Sequence, residues 1–202
     1  MRVTQETKER TRARIVASAR RLFAERGFEA TTTRELAMEA GIAAGTLFNY
    51  FAGKEALGAW ILAEAAAEGI DRFRRERRDG APLEEELFAL VAAGLRALEP
   101  CRAWIGEVLE GAQSPLRWAT QGDAGPEEAF RVSQLDEVVA LLGEHDLARA
   151  VGPVSLHLYW TLYLGALAYW AHDESPHRED TLALLDRSLQ LFARSLREEP
   201  ED

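Results

Sequence analysis

Apolar residues along this chain recur three and four positions apart, and no run alternates between hairpin turns. That pattern predicts an all-α fold of about nine helices. In the first, from about Gln5 to Arg26, Ile15, Ala19, Leu22 and Phe23 share one face and arginines surround the rest. Gly27 stops it. Thr32 and Glu35 form a capping box that opens a second helix, which Gly41 ends. A third runs from about Ala44 to Tyr50, and Ala52-Gly53 breaks the chain before a long fourth, Lys54 to about Arg78. Asp79-Gly80-Ala81-Pro82 reads as a linker. Leu83, Leu87, Leu90, Val91 and Leu95 stripe the fifth helix, and Trp104, Ile105, Val108 and Leu109 a short sixth after Pro100. Gly111 to Pro126, rich in Gly, Pro, Ser and Asp, is the longest loop. The seventh helix spans about Glu127 to His145. Gly152-Pro153 opens the eighth, and Ser175-Pro176 opens the ninth, which ends near Glu198.

Thr32 to Phe51 is the most informative stretch. Ala37 is small and Gly41 follows four residues later. A small residue lets the third helix cross closely over the second, and glycine supplies the positive φ of a tight turn. Leu36, Ile42, Leu47 and Tyr50 or Phe51 are expected to be buried against the first helix. Ala44, Gly45, Thr46, Phe48 and Asn49 then face outward. Two helices this short form no core alone, but on the first helix they hold the third where it can enter a DNA major groove.

Charge at first argues against that partner, because the chain carries a net −10. Its distribution reverses the inference. Residues 1–57 hold ten basic and seven acidic groups, against 14 basic and 27 acidic in the remainder. A basic head on an acidic body suits a nucleic-acid reader whose body repels phosphate.

Leu22-Phe23, Gly27-Phe28, Thr32, Ala37, Ala40-Gly41, Gly45-Thr46-Leu47, Tyr50-Phe51 and Lys54-Glu55 closely resemble the DNA-binding domain of TetR-family transcriptional regulators. The resemblance covers about residues 8–60. It implies an N-terminal three-helix helix-turn-helix domain, 1–53, and a helical effector-binding and dimerisation domain, 54–202. By position, Thr33 contacts phosphate and Arg34 phosphate or a base. Ala44, Gly45, Thr46, Phe48, Asn49 and Tyr50 face the groove, and Lys54 binds phosphate. The chemistry agrees: Arg34 can pair with guanine, Asn49 with adenine, and Thr46 can meet a thymine methyl. Departures from the pattern are Ala43 for a capping serine, Ala44 for a basic or polar residue, and Phe48 for a tyrosine. No Lys or Arg lies between Arg34 and Lys54. Affinity is therefore expected to lean on Lys54 and an arm containing Lys8, Arg10, Arg12 and Arg14.

Leu182, Leu185, Leu189, Phe192 and Leu196 form a seam on the ninth helix, and the eighth is apolar nearly all round. We expect a homodimer joined through these two helices, with Leu158 and Leu162 contributing. A dimer would place two reading helices on a palindromic operator. The family's body encloses a small-molecule pocket, for which Trp60, Trp104, Val108, Trp118, Phe130, Trp160 and Tyr163 are candidates, with Gly111 to Pro126 as a portal. An apolar or aromatic effector follows. Glu107 and Glu110 read as a solvated helix face.

Other classes fit poorly. The sequence has no glycine-rich phosphate loop, nucleophile motif or His-x-x-x-His pair, so no enzyme and no cofactor is expected. His172, Asp173, His177 and Asp180 cluster at a helix boundary that Ser175-Pro176 explains as a cap, so no metal is expected. Val154 to Ala171 lacks Asp, Glu, Lys and Arg over 18 residues, but its polar positions suit a buried helix better than a membrane span. A lone Cys101 and a charged N-terminus suit the cytoplasm. The expected protein is a dimeric DNA-binding regulator, a repressor released from its operator by an effector. The alternative is a helical ligand-binding or scaffolding protein on the same fold with weak or lost DNA binding.

Overall fold

The structure is a computed structural model that describes residues 5–78, 80–112 and 126–197. The described residues form nine α-helices: α1 Gln5–Arg26, α2 Thr33–Glu39, α3 Ala44–Leu47, α4 Lys54–Glu76, α5 Leu83–Leu98, α6 Arg102–Ala112, α7 Pro126–Glu144, α8 Pro153–His172 and α9 Glu179–Ser195. No strand occurs among them, and none of the described helices is long and apolar enough to cross a membrane. Most ends fall within one to three residues of the sequence expectation. Among the short helices, α3 stops at Leu47 instead of Tyr50. Ala43 supplies no side-chain cap, and the Tyr50 N–H bonds three residues back to Leu47 O in a tightened turn.

By its contacts the chain divides into two compact units: Met1–Glu64 with Pro100–Glu127, and Ala65–Glu99 with Glu128–Asp202. The first half of α4 and all of α6 pack with the N-terminal helices. In that unit Ile15, Leu22, Phe23, Phe28, Leu36, Leu47 and Leu57 are buried. The Trp104 ring sits 5.1 Å from Phe23 and lies nearly parallel to Phe28 at 6.1 Å. A Cβ on Gly58 would come within 2.8 Å of Val108, so glycine there lets α4 and α6 touch.

In the second unit α9 packs on α5 and α8. A Cβ on Gly69 would meet the Gly94 Cα at 2.8 Å, so α4 and α5 cross backbone to backbone. Two carboxylates are buried there, and each has a cationic or imidazole partner. Arg74 Nε donates to Glu137 at 2.8 Å. Glu86 takes Arg77 at 2.9 Å and His145 Nε2 at 2.6 Å. A buried carboxylate persists only with such partners. Asp173 follows the same rule at the α8–α9 junction. It accepts from the backbone N–H of Ser175 at 2.8 Å and of Thr181 at 2.9 Å. The Ser175 and Thr181 side chains, together with these backbone bonds, hold its carboxyl well below the usual carboxylate range. That is a structural use for Asp173, and the described residues contain no group of three His, Cys, Asp or Glu placed to hold a metal.

Candidate functional site

The helix-turn-helix geometry follows from its small residues and caps. Thr32 accepts from the Glu35 N–H at 3.2 Å, and Glu35 accepts from the Thr32 N–H at 2.9 Å. Both orphan donors of the α2 terminus are thereby satisfied. These bonds, with Arg26 alongside, also hold the Glu35 carboxyl below its ordinary value. Gly41 adopts φ +63° and turns the chain, and the Ile42 N–H bonds to Ala37 O at 2.9 Å. Leu36, Leu47 and Phe51 are buried, as expected, and so is Ala37. Ile42 and Tyr50 are only half-buried.

The outward face carries the expected residues. Ala44, Gly45 and Asn49 are exposed, and Thr33, Thr46 and Tyr50 are half-buried. Phe48 is 53% exposed, and Met38 on α2, which the sequence reading did not single out, is 75% exposed. Exposed Arg34 has no ion pair with any described residue. Several other arginines of the head are occupied: Arg20 by Glu64, Arg21 by Glu25 and Glu39, and Arg26 by Glu35. Lys8, Arg10, Arg12 and Arg14 remain exposed on α1. Arg14 reaches the α2–α3 turn, where its Nη1 lies 4.0 Å from the place a Gly41 Cβ would take. Arg12 stacks over Trp60 at 5.0 Å.

Lys54 corrects an expectation. Its ammonium does not project outward. Nζ donates to the carbonyl oxygens of Phe28 at 3.1 Å and Glu29 at 3.3 Å, and sits 4.6 Å from the centre of the Phe28 ring. The Glu29 carboxylate is 3.6 Å away, and the Lys54 side chain is only 16% exposed. Glu107, expected to be solvated, accepts the Glu29 N–H at 3.2 Å. Lys54 and Glu107 thus grip the α1–α2 turn from α4 and α6. Carbonyls that need a donor are invisible to a residue pattern, which is why the sequence reading missed this latch.

The pocket candidates also separate. Trp60 lies under Arg12 and meets Phe51 edge-on, Trp104 fills the aromatic core of the first unit, and Val108 abuts Gly58. These three are packing residues of the unit that carries the reading helix. Trp118 and the portal loop lie outside the described residues. Phe130, Trp160 and Tyr163 do come together in the second unit, with ring centres 5.4 to 6.0 Å apart. Gln134 donates to Tyr159 Oη at 2.8 Å, while the buried Tyr163 Oη has no described hydrogen-bond partner. Burial pushes both phenols upward, so both stay protonated.

The dimer seam needs a similar correction. Leu185, Leu189 and Phe192 are buried within one chain, with Phe192 5.6 Å from Tyr159. They belong to the intrachain core. Leu162 and Leu196 are half-buried. The apolar surface left over comprises Val154, Leu158 and Tyr169 on α8 and Leu182, Leu184 and Leu191 on α9, at 83, 42, 45, 39, 38 and 50% exposure. Val154, Leu158, Leu162, Gly165 and Tyr169 follow at spacings of three and four, so they form one stripe on the outer face of α8.

Residues 15–59 match the family model described as bacterial regulatory proteins, tetR family. The repressor KstR2 of Rhodococcus jostii is 34% identical over 88 residues, which are 44% of this chain and 43% of its own. The regulator UidR of Escherichia coli K12 is 29% identical over 106 residues, 52% of this chain and 54% of its own. The chain therefore spans about half the length of these curated relatives. The TetR-family repressor FadR of Thermus thermophilus, solved with lauroyl-CoA, has a TM-score of 0.67 at 24% identity and covers 95% of this chain and 98% of its own. At that identity the likeness is one of fold.

Proposed function

Because the chain belongs to the TetR family of bacterial regulatory proteins, we propose that it is a homodimeric DNA-binding transcriptional repressor released from its operator by an effector with an apolar part. One observation carries the reading. A helix-turn-helix built on buried Leu36, Ala37 and Leu47 presents Ala44, Gly45, Thr46, Phe48 and Asn49 to solvent, with Arg34 unpaired beside them. Arg34 and Asn49 are the base readers, and Thr33 and Tyr50 offer hydroxyls to the phosphate backbone. Arg10 and Arg14 on α1 supply long-range attraction. Position 54 reaches phosphate only through the free amides that open α4.

The outer stripe of α8, flanked by Leu184 and Leu191 of α9, is the surface offered to a second copy. A twofold axis through it would pair like with like and set two reading helices on the half-sites of a palindrome. The effector site is the aromatic group of Phe130, Trp160 and Tyr163, where the unpartnered Tyr163 hydroxyl is a polar handle in apolar surroundings. An open groove of about 460 Å³ at the end of α8 is a poorer host. Three carboxylates, Asp173, Glu174 and Asp180, line it beside Ala168 and Tyr169, and Asp173 is already satisfied. A hundredfold release requires about 2.7 kcal/mol of preference for the DNA-free conformation. Acyl-CoA esters, the class bound by the Thermus protein, are the first effectors to try.

A footprint on DNA upstream of its own gene, repeated with acyl-CoA, tests the reading. Protection of an inverted repeat that fades with the ester is expected, and no protection at any salt concentration refutes it. The alternative, a helical ligand-binding or scaffolding protein with weak or lost DNA binding, draws on two facts: the Lys54 ammonium is turned inward and α3 has no basic residue. The same footprint separates the two.

A further inference from the structure

The reading face carries almost no charge. From Ala40 to Gly53 the chain has no Asp, Glu, Lys, Arg or His. Lys54, next in line, is latched onto Phe28 and Glu29. Its polar side chains are therefore the Thr46 hydroxyl, the Asn49 amide and the Tyr50 phenol. The largest exposed apolar group is the Phe48 ring, 53% exposed and adjacent to exposed Asn49.

Those groups match the four base pairs unequally. Guanine presents two acceptors, O6 and N7, whose best partner is the donor fork of Arg or Lys. The α3 face has none. Asn49 carries one donor and one acceptor, the pattern that adenine N6 and N7 complete. Phe48 neither donates nor accepts. Pressed against a guanine or cytosine edge, it would strip water from polar atoms and replace nothing. The one apolar group in the major groove is the 5-methyl of thymine. Only there does covering the ring bury apolar surface on both sides.

We propose that α3 selects A·T pairs at the centre of each half-site, with Asn49 on an adenine and Phe48 against the 5-methyl of a neighbouring thymine. Arg34, on α2, is the donor fork left for a guanine. The inference rests on the DNA-binding function proposed above and narrows it to a class of operator.

The full chain is used to select duplexes from a random library, and affinities are then measured on the selected site. Each thymine is replaced in turn by deoxyuridine, which removes only the methyl group. We expect A·T pairs at the half-site centre. One thymine should weaken binding about fourfold on demethylation, the worth of burying one methyl-sized group. In Phe48→Ala the same demethylation should have no effect, and Phe48 is exposed enough for that variant to fold. Asn49→Ala should lose discrimination at the adenine and leave the thymine effect intact. Selection of G·C at the half-site centre overturns the inference and leaves the DNA-binding function standing. So does a site indifferent to demethylation at every thymine. Failure to enrich any duplex overturns both.

Discussion

Replacing Lys54 by methionine separates a latch from a phosphate contact. Methionine keeps the apolar stem and removes the charge and its donors. Two charge-assisted hydrogen bonds to Phe28 and Glu29 are lost, together with the ammonium over the Phe28 ring. Hydrogen bonds involving a charged group contribute about 1.5–3 kcal/mol, and a cation over an aromatic ring about 0.5–1 kcal/mol. Both bonds share one ammonium, and the Glu29 carbonyl can turn to water, so the lower end applies. The expected loss is about 2 kcal/mol. For a chain of this size that lowers Tm by about 4–8 °C. Operator affinity should also fall, because the α1–α2 turn that seats the reader is loosened. The salt dependence distinguishes the two roles. A lysine that neutralises a phosphate adds about 0.9 to the slope of log K against log salt, and its removal takes that amount away. A latch leaves the slope unchanged. The assay is fluorescence anisotropy on the operator at four salt concentrations, beside thermal unfolding of the same samples. A slope reduced by about 0.9 with an unchanged Tm would refute the latch.

Three further outcomes are expected. Leu158→Arg places a charge in the outer stripe of α8, which is exposed in one chain, so sedimentation should show monomer with unchanged helicity; a dimer of normal strength would mean the partner covers another face. Gly69→Ala drives a Cβ to 2.8 Å from the Gly94 Cα and 3.1 Å from the Ala93 carbonyl, both backbone atoms that cannot swing aside, so urea unfolding should show a loss of about 1–3 kcal/mol. Acid should destabilise the fold through Asp173, held low by Ser175 and Thr181, and through Glu84 and Glu144, held low by Arg197 and Arg77. A carboxyl lowered on folding contributes its stability above its unfolded value of about 4, and the contribution is lost as pH falls through the folded value. The urea midpoint should therefore fall below about pH 4, less steeply in Asp173→Asn, and parallel curves would exclude Asp173 as a contributor.

Some of this was legible in the residues alone, for reasons of range. The capping box at Thr32 and the turn at Gly41 are decided within four residues, and both form as expected. What depends on a distant partner was not legible. Trp104 and Val108 have the apolar character of a pocket wall, yet Phe23, Phe28 and Gly58 claim them from far along the chain. Lys54 sits where a phosphate ligand is expected, yet two backbone carbonyls 25 and 26 residues earlier accept its protons.

The dimer surface shows why a hydrophobic seam does not name its partner. Leu185, Leu189 and Phe192 have the three-four spacing of an interhelical contact, and they do make one, with α5 and α8 of the same chain. The spacing was sound, and only its destination was open. The more informative signal is α8, apolar on more sides than one chain can cover. Its core side buries Tyr159, Trp160, Tyr163, Leu167 and Trp170. Val154, Leu158, Leu162 and Tyr169 remain on the far side with no need to be apolar in a monomer. Apolar surface gathered into one stripe marks association, whereas scattered exposed leucines mark nothing. The proposed interface is therefore the apolar surface left on α8 and α9 once the chain's own core is filled. In the proposed dimer the second copy sits on α8, and Leu184 and Leu191 of α9 flank it.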